Sequence, residues 1–233
     1  MAQEAICNMA FRRHHMSQLL HRVGSVLPRC LTGPPLAQAS RDMEQLCWRD
    51  LGLPRQPIFD GDLPAYLIVD ATGHPVDLSN PTDSVKLAVR MAALGPSTLP
   101  TTSFIGTNFS ALVRLLNLTP FESQWLLWSY CVHCFGRATL PGIPLRDDWH
   151  ASEILALLAD IKLDAVQSAV ASRRLHVWGF LDGRGADGKM PSLLSGWLSA
   201  TDQFADLIEQ PYASDSELLT ALCQAHVSLR ASR

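Results

Sequence analysis

Gly183-Arg184-Gly185-Ala186-Asp187-Gly188-Lys189-Met190, written GRGADGKM, decides how the C-terminal half of this chain is read. It falls one residue short of a phosphate-binding loop, whose pattern is G-x-x-x-x-G-K followed by Ser or Thr. Such a loop works because backbone N–H groups wrap the phosphate, a helix N-terminus follows at once, and a hydroxyl holds Mg²⁺. Met190 has no hydroxyl, and Pro191 removes a backbone donor close to the expected phosphate. The next segment, SLLSGWL, carries Gly196 inside its would-be helix. A loop between two strands needs only a tight reversal, and Asp187-Gly188 is a good two-residue turn. The stretch therefore reads as the tip of a hairpin spanning Leu181 to Leu194. No intact phosphate-loop motif occurs elsewhere in the sequence, nor does an apolar strand ending in Asp-Glu that would hold magnesium.

The residues upstream of that hairpin have a legible order. Asn108 to Leu118 (NFSALVRLLNL) forms a short helix by its spacing. Thr119-Pro120-Phe121-Glu122 then spells a capping box: the Thr119 hydroxyl accepts from the Glu122 amide while Glu122 reaches back to the N-cap amide. Pro120 sits at the first helical position, where its missing N–H costs nothing. The helix runs to about Phe135, with Phe121, Trp125, Trp128, Val132 and Phe135 on one apolar face. A loop holding Pro141 and Pro144 leads to a helix over residues 151–159. Asp160-Ile161-Lys162 is a short turn, and a second helix follows from Leu163 to Arg174. Leu155 and Leu158 face Leu163, Val166 and Val170 across that turn, as in a helix-turn-helix. His176 to Leu181 (HVWGFL) reads as a strand, and Met190 to Leu194 as its returning partner. Further helices are expected over 199–206 and 215–225. The order helix, turn, helix, strand, Gly-rich loop, strand is that of a winged helix.

The N-terminal hundred residues carry no nameable motif. Residues 11–27 predict an amphipathic helix broken near Gly24, and residues 36–51 a second helix stopped by Gly52 and Pro54. Ala65 to Val69 is strand-like, with Val76 to Leu78 as a return, and residues 84–94 are helical by their spacing. Gly95 to Pro100 is the best linker. The expected fold is thus mainly α with a small β component: an α+β part over 1–100, then a winged-helix-like part over 101–233.

Composition bounds the function. Of 233 residues, 47% are hydrophobic and 18% charged, which is enough apolar mass for a sizeable core. The net charge of −3 writes no general grip on nucleic acid into the chain. Neither a secretory leader nor an apolar run long enough to span a membrane is visible, and six irregularly spaced cysteines read as reduced thiols, so a cytoplasmic protein is expected.

The segments NFSALVRLLNLTPFESQWLLWSYCV, ILALLADIKLDAVQSAVASRRLHVWGFLDG, LSGWLSATDQFADLI and SELLTALC together resemble the region upstream of the motor in certain bacterial AAA-family ATPases. The matching anchors are Asn108/Leu112, Leu118 to Glu122, Leu155 to Leu158, Gly179-Phe180-Leu181, and Leu198 to Leu207, within residues 104–223. In that family a true phosphate-loop module follows and hydrolyses ATP. This chain stops at Arg233, where the motor would begin. The resemblance implies an accessory region that recognises a protein client or the motor module. ATP and Mg²⁺ belong only to a linked motor, and no cofactor, metal or catalysis is expected in this chain.

Six residues are the expected partner contacts: Lys162, Gln167, Arg173 and Arg174 on or beside the second helix, and Arg184 and Lys189 in the wing loop. A winged helix that reads DNA would place this same helix in the major groove. Asp160, Asp164, Asp182 and Asp187 in the same elements repel phosphate, so DNA is disfavoured against a protein partner. Two rivals also stand: a truncated remnant of an ATP-binding ATPase, and an enzyme built around Asp60, Asp62, Asp70 and His74.

Three smaller clusters have plain readings. Cys131-Val132-His133-Cys134 lies inside the Trp-rich helix and lacks a second ligand pair, so it reads as buried thiols. His14, His15 and His21 read as a solvated basic face. Asp147 and Asp148, with His150, precede a helix and complement its dipole.

Overall fold

The computed structural model describes residues 2–31, 35, 39, 56–60, 63–67, 103–136, 140–182 and 191–231. They form nine helices and one two-stranded sheet. In chain order these are α1 (Ala2–Cys30), β1 (Gln56–Asp60), β2 (Leu63–Leu67), α2 (Phe104–Leu115), α3 (Pro120–Phe135) and α4 (Asp148–Ala159). Then come α5 (Leu163–Ser172), α6 (Arg174–Val177), α7 (Leu194–Trp197), α8 (Asp202–Ile208) and α9 (Asp215–Ala231). The protein is mainly helical, with a small β component. None of the described helices is long and apolar enough to cross a membrane.

α3 lies at the centre. Its expected core face, Phe121, Trp125, Trp128 and Val132, is buried, and Phe135 is partly so. Leu126, Leu127, Tyr130 and Cys131 on other faces are buried too. A helix apolar around its circumference has neighbours on every side. The capping box starts it as the sequence requires: Thr119 Oγ1 accepts from the Glu122 amide at 3.2 Å, and Glu122 Oε2 accepts from the Thr119 amide at 2.8 Å. Gly136 ends the helix at φ 93°, a backbone angle that favours glycine.

α1 packs against α2, α3 and α4. Met16, Leu19, Leu20, Val23 and Leu27, spaced by three and four, enter the same core cluster as the α3 side chains. The approach to α2 is close: a Cβ on Gly106 would stand 3.0 Å from the Phe11 ring. α1 is also unbroken. Gly24 is buried within it, and the burial of α1 in the core outweighs glycine's poor helix propensity. The first thirty residues, expected in a separate N-terminal part, thus share a core with the C-terminal helices. In the hairpin β1–β2, Gln56 pairs with Leu67 and Asp60 with Leu63, so β2 takes the preceding segment as its partner. The expected helices over 36–51 and 84–94, and the strand at 76–78, lie outside the described residues.

The helix-turn-helix forms as expected. Asp147 caps α4, its carboxylate accepting from the His150 amide at 2.7 Å. Asp160 ends it in the left-handed region at φ 56°, a conformation Asp tolerates well. Leu155, Leu158 and Val166 are fully buried between α4 and α5, with Leu163 and Val170 at the margin.

The strand expected over His176 to Leu181 needs correction. Residues 174–177 are the one-turn helix α6, closed by Val177 N–H to Arg173 C=O (2.9 Å) and Trp178 N–H to Arg174 C=O (3.0 Å). Tertiary packing overrides the β-branched and aromatic composition there, since the turn buries Leu175 and sets His176 against Trp125. Leu181 pairs antiparallel with Ala200, and Leu193 pairs with Pro144. The returning chain is therefore stitched to the loop before α4 (Leu145 N–H to Ser192 C=O, 2.8 Å). Its glycine is explained as well: a Cβ on Gly196 would lie 2.4 Å from the Pro191 side chain. Leu181 and Leu193 thus pair with Ala200 and Pro144 rather than with each other, and residues 183–190, read from the sequence as a hairpin tip, lie outside the described residues.

Candidate functional site

Two sets of charged and polar side chains around α3 bond within the fold, while the buried Trp128 indole N–H makes no hydrogen bond. Arg174, one of the expected partner contacts, donates to the Leu116 and Asn117 carbonyls and to Glu122 Oε2 (3.4 Å). Glu122 is 2% exposed, so this guanidinium compensates a buried carboxylate at the start of α3. At the other end, Arg12 Nε donates to the Tyr130 hydroxyl (2.9 Å), which donates to Glu209 Oε1 (2.7 Å). Arg12 also reaches Glu209 directly at 2.5 Å. The trio ties α1, α3 and the end of α8 together. Burial first, then the neighbouring Cys134 and Glu209, push the Tyr130 hydroxyl well above its ordinary pKa, so it stays a donor.

Cys131 and Cys134 behave as core thiols. Burial raises Cys131 well above the ordinary thiol range, and burial pushes Cys134 up to about 11 against the opposing charge of Arg12. The histidine cluster departs from a solvated basic face. His15 packs edge-on against Phe11 at 4.5 Å, and burial, with His14 beside it, lowers its pKa to about 4. It is a neutral, packed ring at neutral pH.

The α4–α5 pair is different. Trp149, Glu153 and Leu157 stand at i, i+4 and i+8 on α4, one face of the helix. Trp149 is 59% exposed and Leu157 44%. The indole N–H of Trp149 donates to Glu153 Oε1 at 2.9 Å, which fixes the ring along the stripe. A groove of about 360 Å³ opens beside Trp149, lined by Ser152, Gln167, Val170 and Arg173. Arg173 is exposed, with φ 52° between α5 and α6. Gln167 Nε2 is buried and makes no hydrogen bond. On the Leu157 side a cavity of about 710 Å³ lies between the end of α1, α4 and the α4–α5 turn. Ile154, Leu157, Ile161 and Leu163 form its apolar wall, and Arg29, Arg146 and Lys162 its cationic rim.

Three of the six expected contacts, Lys162, Gln167 and Arg173, thus line openings along one helix pair. Arg174 is committed to the start of α3, and Arg184 and Lys189 lie outside the described residues. Of the acidic set considered for an enzyme, Asp60 ends β1 opposite Leu63, and Asp62, Asp70 and His74 lie outside them. Sequence reasoning missed Trp149, Leu157, Arg29 and Arg146. The signal was present: DWHASEILALLA holds more apolar residues than one face can bury, and Trp149 and Leu157 are off the Ala151, Ile154, Leu155, Leu158 core set.

Compared with known protein families, characterised proteins and solved structures, the chain shows no significant match.

Proposed function

We propose that this chain is a cytosolic protein-docking unit with a winged-helix-like C-terminal part, serving a bacterial AAA-family motor as its recognition region. The observation that carries the docking role is the Trp149–Glu153–Leu157 stripe, two large apolar side chains held outward on a helix otherwise saturated by core contacts. Isolated apolar residues on a surface need no explanation, but an aligned pair between two openings is what a partner helix lays its apolar face upon. The winged-helix-like part is supported by the order α3, α4, turn, α5, followed by two short antiparallel pairings at Leu181 and Leu193. The motor connection rests on the resemblance of residues 104–223.

The mechanism is binding along α4, with Gln167, Arg173 and Lys162 supplying polar contacts at its margins. The test titrates the purified chain with a bacterial AAA-family ATPase module, and separately with duplex DNA at low salt. Saturable binding of the module, and none of DNA, is the expected result. Salt-sensitive retention of duplex without binding of the module would replace this function with DNA recognition.

A further inference from the structure

The cavity on the Leu157 side has a chemistry of its own, and its occupant is more specific than "a protein". Three cations from three separate places converge on it: Arg29 near the end of α1, Arg146 before α4, and Lys162 at the start of α5. All three side chains are exposed. Arg12, Arg114 and Arg174 are bonded to Glu209, Asp215 and Glu122, whereas Arg29, Arg146 and Lys162 pair with no carboxylate among the described residues. Two carboxylates share the rim. Glu153 is held by the Trp149 indole, and Asp160 terminates α4. His150 Nδ1 lies 3.2 Å from the Arg146 amide, which donates to it. The balance at the opening is three cations against two anions, above a wall of Ile154, Leu157, Ile161 and Leu163.

An apolar wall under a rim with excess positive charge suits a ligand of the opposite pattern. From this geometry we infer that the cavity takes an acidic amphipathic segment of the partner: one or two large aliphatic side chains on the wall, with Asp or Glu flanking them toward Arg29, Arg146 and Lys162. Charge complementarity selects this occupant over a basic one, because like charges across an interface cost affinity and slow encounter. The size agrees with a side-chain cluster, since about 710 Å³ lies within the range of pockets that bury a compact apolar ligand. The inference rests on the docking function and names the chemistry of its partner.

The test uses the full chain and three fluorescein-labelled peptides of about five helical turns. One carries Leu at i, i+3, i+4 and i+7 with Glu elsewhere on its flanks. The second replaces Glu by Lys, and the third keeps Glu and replaces Leu by Ser. Fluorescence anisotropy is expected to show binding of the Leu/Glu peptide alone. Exposed ion pairs are worth a few-fold each, so the Arg29→Glu, Arg146→Glu, Lys162→Glu triple variant should weaken it about tenfold. Raising salt from about 50 to about 300 mM should weaken it in the same direction. All three positions are exposed, so the variant is expected to keep its melting temperature, which circular dichroism checks.

Equal binding of the Leu/Glu and Leu/Lys peptides, unaffected by charge reversal but lost in Leu157→Asp, would overturn the acidic assignment and leave the docking face standing. Equal binding of the Glu/Ser peptide would reduce the site to ion exchange and overturn it too. Binding of none of the three would overturn the inference, while titration with the motor module decides the docking function separately. Concentration-dependent self-association blocked by the Leu157→Asp change would assign the cavity to a second copy instead.

Discussion

α3 and α4 are neighbouring helices with opposite uses of their polar and aromatic residues. On α3 the aromatic side chains point inward: the Trp125 indole donates to the Trp197 carbonyl at 2.8 Å, and Tyr130 is fully buried. The charges around it are matched inside the fold, Glu122 by Arg174 and Tyr130 by Arg12 and Glu209. On α4 the largest side chain, Trp149, points outward, and the cations near it face openings. The contrast teaches that in this protein residue type alone does not mark function. Arg12, Arg174 and Trp125 beside α3 are tied into the fold; beside α4, Arg22 donates to the Leu158 carbonyl at 2.8 Å, whereas Trp149, Arg29 and Arg146 are exposed.

Replacing Trp125 by Ala should break the α3 side most severely. It removes the stack on Trp197 (6.3 Å between rings) and leaves a cavity, at a cost of about 3–5 kcal/mol. Urea unfolding with fixed slope would measure it. Glu122→Ala removes one half of the capping box and strips Arg174 of its carboxylate, a loss of about 1–3 kcal/mol. Glu122→Gln, which still accepts from the Thr119 amide, should recover part of that. Tyr130→Phe deletes the hydroxyl between Arg12 and Glu209. Because Arg12 still reaches Glu209 directly, the cost should be smaller, about 1 kcal/mol.

pH sharpens the same comparison through His15. Its folded pKa of about 4 lies below the unfolded value of 6.5. Above about pH 6.5 both states hold a neutral ring and its packing contributes fully. As pH falls toward 4 the unfolded chain takes up a proton that the folded state refuses, so stability drops. Comparing denaturant midpoints at pH 7 and pH 5 should show a decline that His15→Gln flattens. The smallest effect on stability belongs to α4: Trp149→Ala, at an exposed site, should change unfolding by no more than about 0.5 kcal/mol.

Local signals read best. The capping box at Thr119–Glu122, the inward Trp spacing of α3 and the α4–turn–α5 pair all form where the residues place them, because their causes lie within a few turns. What failed depended on distant partners. Gly24 is accepted inside α1 because that helix is pressed into the core, and His176 and Val177 of HVWGFL end the one-turn α6, where His176 packs against Trp125 of α3. The ridge on α4 was hidden for a different reason. Its sequence is so rich in apolar residues that only the placement of the core shows which two are left outside.

The most direct test crosses the two helices. The motor module is titrated against a Trp149→Ala, Leu157→Asp variant and against Tyr130→Phe, and each variant is melted. The first should lose binding and keep its melting temperature. The second should melt lower and bind as well as the parent chain. Undiminished binding by the α4 variant, or a loss of binding confined to Tyr130→Phe, would contradict the division of roles between α3 and α4.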